Sequence, residues 1–343
     1  MKKQFVEDKV TLGHGAGGKL SRDLIEKLYR KEFNNKILNA LGDSAILNLK
    51  GSAGRYLAFT TDSFVIKPLF FPGGNIGKLA VCGTVNDLAV SGARPLYISA
   101  SAIIEEGFLI SQFEKIIKSM KKAADESGIK IVTGDTKVVE KGAADELFIN
   151  TTGIGILHPA ARSGFSENLI EPGDAVIING GIAEHGIAVL RARENFDFKI
   201  KSDCAPLSGI ISNVLDSGVK VKFIRDLTRG GAAAAFNEIT AERNFGMLIE
   251  EKKIPVKKEV STVCALLGFD PLYIANEGKF VMICKPGSKE LALKVMKSHP
   301  LGKHSSIIGS ITKENPGKVV LKTSPGGSRI IDMPVADLLP RIC

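Results

Sequence analysis

Between residues 158 and 174 the chain loses the alternation of strand-like and helix-like segments that runs on either side of it. His158-Pro159-Ala160-Ala161-Arg162-Ser163-Gly164 and the turn Glu171-Pro172-Gly173-Asp174 hold the breakers. Neither a helix nor a central strand passes easily through such runs. A chain of 343 residues also exceeds the size at which a single apolar core keeps growing. The break therefore divides the chain into residues 1–160, residues 161–325, and a flexible tail, 326–343, that starts at Gly326-Gly327 and ends at Cys343.

Apolar residues at helical spacing predict helices over 18–33, 76–90 and 110–128, and shorter apolar runs predict strands over 55–61, 95–104, 129–133 and 146–157. In the second unit strands are expected at 175–178, 246–249, 280–284 and 306–311, with helices near 184–194, 206–216, 231–242 and 288–298. The expected class is α+β, built from two α/β-type domains.

Composition narrows the function classes. Forty-six basic against thirty-seven acidic side chains give +9, but the lysines are scattered and only four tyrosines and no tryptophan accompany them. A solvated basic surface is expected, with no nucleic-acid partner. Five cysteines, an odd number without a C-x-x-C, indicate neither a disulfide framework nor a zinc site. The N-terminus has no apolar h-region and no long apolar run follows, so a cytoplasmic protein without a membrane partner is expected.

Gly13-His14-Gly15-Ala16-Gly17-Gly18-Lys19 ahead of a helix suits an anion, because glycines let backbone N–H groups approach it and the helix start is electropositive. Leu20 stands where a P-loop needs a hydroxyl, which excludes a P-loop NTPase. A plain glycine-rich turn remains the other reading. Asp43, Asp62, Asp87 and Asp135 lie at element ends; converging carboxylates suit a hard cation carrying phosphate, and each alone also suits a cap or turn. Asp135 and Lys137, two apart on a strand, share a face. Arg225-Asp226-Leu227-Thr228-Arg229-Gly230-Gly231 repeats the pattern before an alanine-rich helix, and Asn276-Glu277-Gly278 offers a carboxylate base or a turn.

The last residues, Pro340-Arg341-Ile342-Cys343, put a thiol on a chain end. The sixteen residues after Gly327 reach up to ~50 Å when extended. Such a thiol can visit two reaction centres in turn.

Taken together, the glycine-rich start, the ordered aspartates, Asp226-Leu-Thr-Arg-Gly-Gly, Asn276-Glu277-Gly278 and the terminal Pro-Arg-Ile-Cys resemble the HypE family of hydrogenase maturation factors over nearly the whole chain. That family belongs to the aminoimidazole ribonucleotide synthetase and selenophosphate synthetase superfamily. The resemblance implies an N-terminal domain whose mixed sheet pairs into a barrel across a homodimer, and a C-terminal α/β sandwich. It implies ATP and Mg²⁺ as cofactors, HypF as carbamoyl donor, and HypC-HypD as acceptor of the cyano group. The implied reaction is dehydration of an S-carbamoyl group on Cys343 to a thiocyanate.

Carried over by motif, Cys343 is the carrier, Lys137 and Glu277 stabilise phosphate and remove protons, and Asp43, Asp62, Asp87, Asp135 and Asp226 form the metal shell. Gly15, Gly17, Gly18, Lys19, Thr61, Thr84, Asn86, Thr136, Thr228, Arg229 and Gly230 complete the nucleotide pocket. Selenophosphate synthetase is the nearest rival, but that family carries a reactive residue in the glycine-rich loop where this chain has only His14. A noncatalytic basic binding protein would leave the aspartates unexplained.

Overall fold

The computed structural model describes residues 9–15, 18–49, 56–162, 165–335, 339 and 341–343. Helical winding begins at α1 (Gly18–Leu24), widens to a π turn over Ile25–Tyr29 and ends in α2 (Arg30–Glu32). Then come β1 (Ala45–Asn48), β2 (Tyr56–Phe64), the short hairpin of β3 (Phe70–Phe71) and β4 (Gly74–Asn75), α3 (Ile76–Val90), β5 (Ala93–Glu105), α4 (Ile110–Ser127), β6 (Lys130–Val139) and β7 (Leu147–Leu157).

The first sheet runs β1-β2-β7-β5-β6, antiparallel throughout except for the parallel β5–β6 pair. It is a mixed sheet. Its period of two separates the faces of β2: Ala58, Thr60 and Phe64 are buried, whereas Phe59, Thr61 and Ser63 between them are exposed. Cross-strand register carries the outer face over, through Ser63↔Asn150↔Ser101↔Asp135.

Helix α3 is apolar all round and buried all round, as such a helix must be. The Asn75 side chain starts it by accepting the N–H groups of Gly77 and Lys78. Leu79, Val85 and Leu88 are fully buried, and each contributes about 1.5–3 kcal/mol. Helix α4 is amphipathic instead. It buries Ile116, Met120 and Ala123 and stops at Gly128 in the left-handed region.

The second unit contains β8 (Ala175–Ile178), α5 (Glu184–Glu194), α6 (Ser208–Asp216), β9 (Val221–Asp226), α7 (Gly231–Thr240), β10 (Gly246–Glu250), α8 (Lys258–Leu267), β11 (Phe280–Cys284), α9 (Lys289–Ser298), β12 (Ser306–Thr312), β13 (Val319–Lys322) and β14 (Ser328–Ile331). Its sheet runs β14-β13-β10-β12-β8-β11-β9, antiparallel except for β10–β13. Strands β1, β3, β4, β9, β13 and β14 and helix α8 are additional to the elements expected from the pattern. β14 also revises the tail, since residues 328–331 of the segment expected to be flexible are hydrogen-bonded to β13.

One apolar cluster joins the two units. It combines Leu79, Cys82 and Val85 of α3 with Ile187 of α5, Cys204, Val260 of α8 and Ile274, and it includes Leu339 and Ile342 from the chain end.

Candidate functional site

The end of β2, the last turn of α3 and the end of β9 meet where the units join. Thr60 on β2 donates its hydroxyl to the Asp87 carboxylate and lies 2.9 Å from both Asp87 Oδ2 and the Asp43 backbone oxygen, while Ser44 donates to the Asp87 backbone oxygen. Burial pushes the Asp87 carboxyl well above the usual carboxylate range, and the charges of Asp226, Asp62 and Asp43 push it further. Asp226 is pushed up to about 8, first by burial, then by Asp43, with Arg225 opposing. Burial likewise raises Asp62, against the pull of Arg229. Four aspartates from β2, α3, β9 and the segment before β1 thus share one electrostatic neighbourhood.

Arg225 compensates part of this charge. It reaches Asp43 at 3.1 Å and Glu238 of α7 at 2.8 Å. Next to it, Gly230 (φ +72°) and Gly231 (φ +63°) open α7 in the left-handed region, and a Cβ on Gly231 would lie 2.6 Å from the backbone oxygens of Ile274 and Leu272. Only glycine accommodates both demands. Arg229 on the same loop donates to the Gly15 carbonyl at 3.0 Å, and the Lys19 N–H donates to Pro334 at 3.2 Å. The glycine-rich start is thereby tied to the second unit. The Lys19 side chain is exposed and Thr228 half-buried; Gly17 lies outside the described residues.

Glu277 enters from the second unit. It is 3 % exposed and its Oε1 has no hydrogen-bond partner. Burial raises its carboxyl well above the ordinary range, and Cys204, Asp226, Asp203 and Asp62 add to the rise. A buried carboxyl left with an unused oxygen is an unusual cost to carry.

The chain end lies across this region. The Val65 N–H donates to the backbone oxygen of Cys343 at 3.1 Å and the Lys67 N–H to Arg341 at 3.2 Å, an extended pairing that continues β2. Arg193 also donates to the Arg341 carbonyl at 3.1 Å. The Arg341 guanidinium donates to Asp145, which accepts Lys67 Nζ at 2.8 Å as well. His185, fully buried, donates from Nε2 to the Ile342 carbonyl at 2.8 Å and accepts at Nδ1 from Ser202. Negative charge at Cys343 raises the Arg229 guanidinium more than Asp62, Glu277 or Asp87 does, with partial burial opposing. The half-buried Cys343 packs against the shared apolar cluster, and Arg229 feels its charge.

Other expected residues lie elsewhere in the chain. Asp135 and Lys137 are exposed and paired with each other at 2.7 Å on β6. Two strands, β7 and β5, lie between β6 and β2, so three strand spacings, about 14 Å, separate them, and Asp135 is on the opposite sheet face from Asp62. The shared-face reading of that pair holds, but not its union with the other aspartates inside one chain. Thr61 also faces outward, where it accepts from Thr152 at 2.9 Å, and Thr136 is exposed on β6. Thr84 is fully buried, 2.5 Å from the Thr151 hydroxyl, so helix–sheet packing uses it. Asn86 spends its amide on Ala205, Leu207 and Glu277. Arg225, Glu238, His185 and Asp145 were not assigned roles from the sequence. Only Arg225 lay within a motif that singled it out.

The donor set fits a hard cation in kind, since carboxylates are what Mg²⁺ selects. Among the described residues no three His, Cys, Asp or Glu side chains form a ready-made metal cage. That suits an ion held by one or two carboxylates together with phosphate oxygens and water.

Residues 41–157 match the family described as AIR synthase related protein, N-terminal domain, and residues 171–322 match its C-terminal domain. A carbamoyl dehydratase HypE of Rhodobacter capsulatus is 44 % identical over 98 % of this chain and 99 % of its own. The chain belongs to the HypE family of carbamoyl dehydratases. Solved HypE structures agree in fold: HypE from a HypE-HypF complex has TM-score 0.85 at 48 % identity, covering 91 % of this chain and 99 % of that one. HypE in complex with ATP has TM-score 0.80 at 42 % identity, covering 98 % and 100 %.

Proposed function

We propose that the chain dehydrates an S-carbamoyl group on Cys343 to a thiocyanate at the expense of ATP, supplying the cyanide ligand for the iron of a NiFe hydrogenase. The observation that carries this reading is the pairing of Cys343 with Val65, three residues beyond Asp62, together with Arg229, which feels the charge of Cys343, Asp62, Glu277 and Asp87 alike. The carbamoyl oxygen takes the terminal phosphoryl group, the carbon–oxygen bond breaks as phosphate leaves, and both nitrogen-bound protons pass to bases. Carbon is left bonded to sulfur and triply bonded to nitrogen, with ADP and phosphate as products.

Arg229 balances charge on the transferring group, and the N–H groups of the Gly15, Gly18 and Gly230 segments, with Thr228, face phosphate. One or two of Asp62, Asp87 and Asp226 would hold Mg²⁺, which would supply charge balance for phosphate; Asp43 is already engaged by Arg225. Glu277 accepts a proton. Burial and its acidic neighbours favour the protonated form, and cationic charge beside it would favour the ionised form that accepts the proton.

HypF is the proposed carbamoyl donor and HypC-HypD the proposed acceptor, in the cytoplasm. Solved HypE structures with HypF and with ATP support the donor and the nucleotide. Among the described residues no helix is long and apolar enough to cross a membrane. A homodimer through the outer face of the first sheet is supported by Phe59, Tyr97 and Ile103, which lie 42–45 % exposed there. Asp135, Lys137 and Thr61 would act at such a contact, whereas Thr136 points to the other face of β6.

The deciding experiment is mass spectrometry of the C-terminal peptide after carbamoylation by HypF and addition of Mg-ATP. Loss of the mass of one water is expected, and none in Cys343→Ala, which still binds ATP. An unchanged mass in the parent protein with active HypF overturns the reading.

A further inference from the structure

The turn that carries Glu277 is fixed by side chains from several separate segments. Asp203, in the loop between α5 and α6, accepts the Glu277 N–H on Oδ1 at 3.3 Å and the Gly278 N–H on Oδ2 at 3.2 Å. Asn86 of α3 donates to the Glu277 carbonyl at 3.2 Å, and Asn179, just after β8, donates to the Gly278 carbonyl at 3.0 Å. Asn276 accepts from the Ala183 N–H at 2.7 Å and donates to the Leu227 carbonyl at 2.8 Å. A Cβ at Gly278 would lie 2.1 Å from the Asp203 backbone oxygen, so a side chain there would break the grip. After all these bonds, one buried side-chain atom of the turn has no partner: Glu277 Oε1.

Asp203 differs from the three asparagines in being charged. Its side chain is 1 % exposed and Lys279 Nζ lies 3.1 Å from Oδ2. A buried ion pair adds little stability over a neutral replacement of similar shape, so stability alone gives no reason for it. Geometry does. An ionised carboxylate accepts on both oxygens, whereas an amide would turn its NH₂ against one of the two N–H groups. Charge also strengthens and shortens such bonds.

We propose that Asp203, kept ionised by Lys279, is a positioning residue for the dehydration: its two-oxygen grip on successive N–H groups aims the Glu277 carboxyl at the group carried on Cys343. The inference rests on the reading of Glu277 as proton acceptor, and it adds a requirement that this reading does not contain. A misplacement of about 1 Å in a reacting group costs on the order of 100-fold in rate.

The test uses full-length protein carbamoylated by HypF and follows the single-turnover rate with saturating Mg-ATP, the ATP dissociation constant and the melting temperature. Asp203→Asn alone strands a buried lysine charge. The neutral pair Asp203→Asn with Lys279→Gln removes that penalty and keeps volume. The neutral pair is expected to melt near the parent and bind ATP within about threefold, with a rate reduced on the order of 30-fold or more. Should it fail to fold, Asn86→Ser, which loosens the same peptide from its carbonyl side, carries the same expectation. A rate within threefold of the parent, or a loss matched by equal losses in ATP affinity and melting temperature, overturns the role of Asp203. Glu277→Gln measured alongside separates the two ideas: a parent-like rate there overturns Glu277 itself, whereas a slow Glu277→Gln with a fast neutral pair removes only Asp203.

Discussion

His185 and Ile342 stand 2.8 Å apart, imidazole Nε2 to carbonyl oxygen, so the residue before the terminal cysteine is held by a side chain with no exposure to water. The contact joins α5 to a chain end 157 positions later. It requires a proton on Nε2.

Burial holds the His185 pKa below its ordinary value, with the Ile342 carbonyl and Asp203 opposing. A base whose folded pKa is depressed is protonated more readily in the unfolded chain, so stability falls as pH drops below about 6.5. His185→Leu is expected to remove that acid sensitivity while losing the hold on Ile342. Urea unfolding at pH 5 and pH 8 should show the parent weaker at pH 5 and the variant with a smaller difference.

Asp145 is held below the usual carboxylate range, first by Lys67 and then by Arg341. A depressed carboxyl stabilises above its unfolded pKa of about 3.9 and the contribution is lost as pH falls through the folded value. The clamp is near the surface, so Asp145→Ala should cost only about 0.2–1 kcal/mol. Its expected signature is faster removal of Cys343 by carboxypeptidase. Equal digestion of parent and variant would count against the clamp.

Asp226, at about 8, gives the opposite slope. The folded state holds the proton that the unfolded state releases near pH 4, so this group lowers stability as pH rises from about 4 to 8. A cation favours the ionised form, so Mg-ATP should bind more tightly as pH rises through that range. Asp226→Asn is expected to flatten both trends, read by thermal melts at pH 6 and pH 9 with and without Mg-ATP.

Arg225→Ala leaves Asp43 and Glu238 without their shared partner, whose side chain is only 14 % exposed. Breaking a buried pair from one side costs about 3–5 kcal/mol. Arg225→Lys keeps the charge but not the fork that spans two carboxylates and should fall between. Urea midpoints of the three proteins order them.

Much of this was legible because some segments carry one unambiguous signal. Helix α3 occupies the expected residues 76–90, for its apolar run is bounded by Asn75 and the Ser91-Gly92 turn. Strand β9 was not legible. Its sequence Val-Lys-Phe-Ile-Arg-Asp reads as half-charged, and only tertiary partners, Glu171 and Asp174 for Lys222, Asp43 and Glu238 for Arg225, let it lie largely buried at the sheet edge. The aspartate motifs were visible as residue types at element ends, but the face each occupies depends on register. That is why Asp135 parted from Asp62. His185, Asp145 and Asp203 belong to no spacing pattern, because each acts on a group far away in sequence.

Leu339 and Ile342 are 6 % and 2 % exposed in the cluster that both units share. Lifting the chain end toward a transferase wets both, at about 1.5–3 kcal/mol each, so the lifted form is outnumbered by roughly 10²–10⁴ to one. On the proposed reading, loading depends on the carbamoyl donor trapping a rare excursion, and recoil of the laden end needs no fuel. ATP is left for the chemistry alone.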